Sequence, residues 1–422
     1  VYACLSHDIV AHETTHPLLD GLHRRLIEPT NVDVWALHEA FADIVALFQH
    51  FSYPEVLRHQ IARTRGDLER RNLLAELAYQ FGQAIGRYGA LRSALGKVDR
   101  ATGEWIPKEP DPEEIRTTTE PHARGAILVA AVFEAFLTIY QARTADLLRI
   151  ATGGSGVLPP GSLHPDLVER LAQEAAKAAR HILNICIRAL DYCPPVDVDF
   201  GDYLRALVTA DADLVTDDRF NYRLAFIEAF RRWGIFPAGV RSMSVEALRW
   251  EGPKYGFDGD PAITNFGKKL REAMSHWNLR GDREGIWKSL DDLRGSVHDI
   301  IEETQGYKEK IIEGVALQRK FEVHSIRPSR RVDADGQLVT DVVMEITQSR
   351  RRRRHGVELR FRGGCTLIFD LDSGRVRYCI RKDIDSEQRL EQQFAFLKAK
   401  SSTSAGMAVY ADPRRGSEDG EV

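Results

Sequence analysis

The sequence predicts a mainly α fold that closes with a small antiparallel β domain, α+β overall. Three observations predict it. To about residue 240, apolar residues recur at helical spacing, interrupted by Pro- and Gly-bearing connections. Near Phe321 the pattern changes to runs rich in Val, Ile, Phe and Thr with partial alternation (321–327, 338–347, 357–371 and 375–381). Asp333-Ala334-Asp335-Gly336 and Asp372-Ser373-Gly374 separate two pairs of these runs as hairpin turns. Finally, 422 residues that are 43% hydrophobic and 28% charged make an ordinary globular chain with room for two or three domains. The expected division is a helical lobe over 1–240, a helical extension over 241–318, a β domain over 319–396 and a disordered tail over 397–422.

The first helix is expected over residues 5–27, with Ile9, Val10, Leu18, Leu19 and Leu22 on its apolar side. Pro17 stands inside it and removes the hydrogen bond to the carbonyl of Glu13, at a cost of ~3 kcal/mol or more. Glu28-Pro29-Thr30-Asn31 ends the helix, and Asp33 reads as the cap of the next, Val34 to about Phe48. Glu39 and Asp43 share one face of that second helix. Its remainder is apolar enough to be buried, so the two acids need partners.

Residues 55–96 read as one or two amphipathic helices and 99–119 as a polar loop. Glu120-Pro121-His122-Ala123-Arg124-Gly125 then opens an apolar helix, Ala126–Tyr140. Further helices are expected from Pro165 to Leu190, from Asp202 to Leu214 and from Asn221 to Trp233. The basic run Arg350–Arg354 lies between two strand candidates. It reads as a solvated hairpin tip rather than a nucleic-acid contact or targeting signal.

Charge and composition exclude several classes. Lys+Arg total 58 and Asp+Glu 62, a net charge of −4, which gives no reason to expect nucleic acid or a membrane surface as partner. No membrane span is expected: the most apolar run, Gly125 to Tyr140, carries Glu134 and is short for the purpose. Five cysteines without a C-x-x-C pair argue against a disulfide framework or a Cys-rich metal site. Cys186 and Cys193 read as buried free thiols, pairing being the alternative. The chain begins at Val1 and enters a motif that belongs inside a protein within a dozen residues, so a longer parent chain is expected.

That motif is His12-Glu13-Thr14-Thr15-His16, an H-E-x-x-H. Residues i and i+4 of a helix project from one face, so both imidazoles can reach one Zn²⁺, with Glu13 beside them to act on a water. Catalytic zinc takes three protein ligands and keeps one open position. A glycine three and a histidine six residues after the second motif histidine would complete one set, but those positions are Leu19 and Leu22. A glutamate on the following helix completes another, and Glu39 stands there. Asp43, one turn on, can accept the free N–H of a ligating histidine.

Asp8-Ile9-Val10-Ala11-His12-Glu13-Thr14-Thr15-His16, Asp20, and His38-Glu39-Ala40-Phe41-Ala42-Asp43-Ile44 together resemble the thermolysin-like gluzincin metallopeptidases. The resemblance covers about residues 5–236 and implies zinc on His12, His16 and Glu39, with Glu13 as general base. It implies that Asp43 supports a histidine ligand. It also implies that His122, at the entrance of an apolar helix, stabilises the oxyanion, with Glu120 as the acid that orients it. His7, His23, His38 and His50 read as structural or exposed, because the ligand set is complete without them. The gap from His16 to Glu39 is longer than in thermolysin, Pro17 is unusual there, no tyrosine matches the family's oxyanion partner, and the family's N-terminal β-rich lobe is not in these residues.

The implied function is a zinc-dependent peptidase acting on a peptide or protein substrate. The alternative is a gluzincin-derived scaffold or interaction module that binds zinc without cleaving. An aminopeptidase is a further option within the enzyme class.

Overall fold

The computed structural model describes residues 7–68, 96–98, 105–252, 268, 270–272, 283–303, 320–332, 338–354, 357–373 and 375–401. Its architecture is the predicted one, mainly helical with a four-stranded antiparallel sheet.

Helix α1 (His7–Leu22) runs through Pro17 and stops earlier than expected. His23 breaks the α-helical backbone (φ −132°), and Arg24–Ile27 continue as a 3-10 turn. Helix α2 (Val32–Gln49) is capped by Asn31, not Asp33: the Asn31 side chain accepts from the Asp33 and Val34 backbone N–H groups. Asp33 is instead drawn inward, where it pairs with buried Arg124 and accepts from the Phe200 N–H. A buried guanidinium demands a counter-charge, and Asn31 is free to take the capping role.

Helix α3 (Pro54–Thr64) supplies the expected amphipathic segment; residues 69–95, also expected as helix, lie outside the described residues. The polar loop expected at 99–119 contains more order than its composition suggests. Strand β2 (Trp105–Pro107) pairs antiparallel with β1 (Gly96–Val98), because Trp105 and Ile106 favour extended backbone. A helical turn follows at Glu114–Thr117.

The centre of the helical core is α4 (Pro121–Ala151), which packs on α2, α5 (Pro165–Ala189) and α7 (Tyr222–Arg232), with α6 (Phe200–Leu214) beside α5. By length and composition α4 could cross a membrane, but most of its apolar stretch is buried against these neighbours. It approaches α2 closely at Gly125: a Cβ there would lie 2.8 Å from the Ala36 carbonyl oxygen and 3.2 Å from the Ala40 nitrogen. This contact brings the start of α4 alongside the Glu39 turn of α2.

Strands β3 (Glu322–Val332), β4 (Leu338–Arg354), β5 (Val357–Asp370) and β6 (Arg375–Lys382) form a meander in sequence order. Both faces are covered. Val342, Met344, Ile346, Cys365 and Leu367 pack with Val297 and Ile301 of α8 (Arg283–Glu303). The other face turns Ile368, Tyr378 and Ile380 into the core of the helical lobe. This two-sided burial explains why the strands alternate only partially in the sequence. His324 sits where the β3–β4 register shifts.

The basic run ends at the β4–β5 hairpin with Arg351 and Arg353 exposed, as read, but it is paired strand and Arg350 is drawn inward. Arg350–Arg354 continue β4, and Arg350 is buried with its guanidinium over the Phe361 ring. Asp385, with Glu387 and Glu391 of α9 (Glu387–Ser401), supplies the counter-charges to Arg350 and Arg354. That helix was not expected from the sequence. Residues 402–422, within the expected disordered tail, lie outside the described residues.

A row of ion pairs holds sheet and lobe together. Arg327 of β3 pairs with Asp191 at 3.0 Å and Arg377 of β6 with Asp213 at 2.7 Å. Lys382 reaches Asp202 at 2.5 Å, and Arg389 of α9 reaches Asp197 at 2.9 Å. The Thr366 hydroxyl donates to the Cys193 carbonyl at 2.8 Å. Cys186 and Cys193 are buried free thiols, as read, and Cys365 is buried as well.

Candidate metal centre

Helices α1 and α2 lie against each other and place His12, His16 and Glu39 in one group. Their ligand-type atoms all fall within 4.8 Å of one another. The two Nε2 atoms are 3.0 Å apart. Glu39 Oε2 is 3.4 Å from His12 Nε2 and 3.7 Å from His16 Nε2. That oxygen is buried and makes no hydrogen bond.

The outer nitrogens are engaged. His12 Nδ1 lies 2.9 Å from Asp43 Oδ1, where an ionised carboxylate can only accept, so Nδ1 carries the proton. His16 Nδ1 lies 2.8 Å from His38 Nδ1, and His38 Nε2 lies 2.9 Å from Asp20 Oδ1. Asp43 therefore stands where the sequence put it, behind a motif histidine. His38, read as structural or exposed, stands directly behind the other. The signal for it was available: Asp20 is four residues after His16, and His38 precedes Glu39 on the helix that faces them. His7 is exposed, His50 pairs with Asp8, and His23 is buried 3.1 Å from Glu345.

Electrostatics follow from this crowding. Burial disfavours a charged His12, but Asp43 and Glu39 outweigh it and push its pKa up to about 10. Burial, helped by His12 and His38, holds His16 below the usual imidazole range. Burial would raise Glu39, but His12, His122 and His16 prevail and keep it low. Burial raises Asp43 despite its bond to His12. The cluster thus holds a proton strongly where three lone pairs converge. The same three atoms could hold a divalent cation, which, unlike a proton, would engage two Nε2 atoms and one carboxylate oxygen at once.

His122 completes the rim. Its Nε2 is 3.5 Å from Glu39 Oε2. Its Nδ1 is 2.9 Å from Glu120 Oε1. Glu120 also caps α4, accepting from the His122 and Ala123 N–H groups. Burial counts against the Glu120 carboxylate, but these bonds together with the His122 charge keep it below the usual range. A cleft of about 350 Å³ opens here, lined by Ile27, Trp35, His38, Glu39, Glu120, Pro121 and His122. The apolar wall formed by Ile27 and Trp35 was not anticipated. The Trp35 indole donates to the Ile27 carbonyl at 3.0 Å, which ties α2 to the 3-10 turn.

Glu13 is exposed on α1, three residues before His16, and its charge acts on that ring. The structure therefore brings His12, His16, Glu39, Asp43, His122 and Glu120 together and leaves Glu13 at the open edge. No family model, curated protein or solved structure matches this chain.

Proposed function

We propose that this chain carries the catalytic centre of a zinc metallopeptidase of the thermolysin-like gluzincin type. The observation that carries the reading is the donor set: two Nε2 atoms and a buried, unbonded Glu39 oxygen converge while both Nδ1 atoms are engaged from behind. Two imidazoles and one carboxylate suit zinc and match the number of protein ligands in a catalytic site. His12, His16 and Glu39 would hold the ion, which when bound supplies Lewis acidity toward water and a substrate carbonyl.

The chain's own groups carry the remaining steps. Glu13, at the open edge of α1, accepts a proton from the attacking water and returns it to the leaving amine. His122 keeps Nδ1 on Glu120 and presents Nε2 as a donor where negative charge builds on the carbonyl oxygen. Loss of one such preorganised donor typically costs ~2.7–4 kcal/mol of transition-state stabilisation. Ile27 and Trp35 give the cleft an apolar side that favours water exclusion. The substrate is a peptide or protein.

The test is Glu13→Gln in the purified chain, with zinc content measured by elemental analysis and cleavage by mass spectrometry on a mixed peptide library. The expected result is equal zinc in both forms and cleavage by the parent only. Equal cleavage by the variant refutes Glu13 as the base. Zinc in both forms without cleavage by either favours a non-hydrolytic scaffold.

A further inference from the structure

His16 poses a question that His12 does not. Its outer nitrogen faces another histidine rather than a carboxylate. His16 Nδ1 and His38 Nδ1 are 2.8 Å apart, with the rings within 8° of parallel and their centroids 4.7 Å apart. At that separation one nitrogen must donate and the other accept. His38 Nε2, 2.9 Å from Asp20 Oδ1, decides which. A carboxylate accepts, so His38 spends its proton on Asp20. With that proton on Nε2, the His38 Nδ1 presents its lone pair, and His16 donates to it from Nδ1. This leaves His16 Nε2 bare, aimed at His12 Nε2 and Glu39 Oε2.

We propose that His38, anchored by Asp20, is a positioning residue that fixes His16 as an Nε2 metal ligand. The inference rests on the zinc-site reading above and adds a second support to it. The two motif histidines are held by different partners: His12 by one carboxylate of α2, His16 by an imidazole of α2 backed by a carboxylate of its own helix. The relay Asp20–His38–His16 also stitches α1 to α2 beside the ligands. Its outer member is accessible, with the Asp20 side chain 46% exposed and that of His38 13% exposed, so Asp20 can be replaced with little effect on packing.

Two measurements test it. The first is ¹⁵N NMR of histidine-labelled, metal-free protein, which reports which ring nitrogen carries each proton. His16 is expected as the Nδ1–H form in the parent and as the Nε2–H form in His38→Ala. The second is zinc affinity by competition with a chromophoric chelator. Loss of such an outer partner typically weakens metal binding 10–100-fold. His38→Ala is expected to lose affinity in that range, and His38→Asn, which keeps an acceptor near the Nδ1 position, to recover most of it. Asp20→Asn is expected to fall between them, and Asp20→Asn combined with His38→Ala to lose no more than His38→Ala alone. If His38→Ala binds zinc like the parent, or the His16 tautomer does not change, the proposal is wrong. If the parent takes up no zinc, the peptidase reading fails, and the tautomer measurement decides the relay by itself. If His38→Ala does not fold, His38→Asn and Asp20→Asn decide it.

Discussion

Adding one methyl group at Gly125 should separate His122 from His12, His16 and Glu39. In Gly125→Ala the new Cβ would meet the Ala36 carbonyl oxygen at 2.8 Å and the Ala40 nitrogen at 3.2 Å, both backbone atoms that cannot rotate away. Restoring ordinary contact requires α4 and α2 to part by roughly half an ångström. Such overpacking costs about 1–3 kcal/mol. The better helix propensity of alanine returns about 1 kcal/mol, for a net loss of about 0–2 kcal/mol. Gly21→Ala is the control. It lies in the last turn of α1 with nothing within 4 Å of the new Cβ, so only the propensity gain remains. Urea unfolding of both variants should therefore separate them by about 1–3 kcal/mol, with Gly125→Ala the weaker. The functional effect should be just as selective. His12, His16 and Glu39 sit on α1 and α2, whereas His122 sits on α4, 3.5 Å from Glu39. Zinc affinity should hold while kcat/KM falls about tenfold or more, since misplacement by about 1 Å can cost 100-fold. A Gly125→Ala variant as stable as Gly21→Ala, or one that loses zinc before activity, would refute the reasoning.

Arg124→Met should destabilise the fold by about 3–5 kcal/mol in urea unfolding, because it strands buried Asp33, whose carboxyl burial already pushes upward. His324 should make the fold sensitive to acid. Burial, then Arg25 and Arg362, push its pKa down to about 3, and exposed Glu322, 3.3 Å away, does not offset them. A folded pKa below the unfolded value of about 6.5 gives stability that is full above pH 6.5 and declines as pH falls toward 3, by about 1.4 kcal/mol per pH unit. Unfolding measured at pH 7 and pH 5 should show this slope in the parent and lose this contribution in His324→Gln. Removing zinc with a chelator should lower the unfolding free energy by ~2.7 kcal/mol from a state at 100 times the dissociation constant. Glu39→Gln should abolish that difference, as read from thermal melts with and without zinc.

What the sequence disclosed depended on how local the determining physics is. The i, i+4 spacing of His12 and His16, and of Glu39 and Asp43, is a property of one helix, and each pair appears where periodicity put it. His122 could be placed at the start of its helix by the same logic. Errors arose where distant partners decide. Asp33 looks like a cap until Arg124, 91 residues away, is seen to claim it. Arg350 and Arg354 look solvated until Asp385 and the acids of an unforeseen helix are seen beside them. His38 looked dispensable because the ligand count was complete without it, and its role depends on how two helices cross.

The ionic seam between sheet and lobe bears on how this protein can be divided. Four of its acids lie between Asp191 and Asp213, with bases from residues 327 to 389, and Glu28 adds a fifth pair with Arg362 of β5 at 2.7 Å. His23, at the point where the motif helix ends, meets Glu345 from the far side of the same seam. A helical lobe cut away near residue 240 would keep the acids without their partners and would leave the end of α1 unbuttressed. The two halves are interlocked parts of one unit. A fragment that preserves these pairs has to extend into α9, where Arg389 meets Asp197.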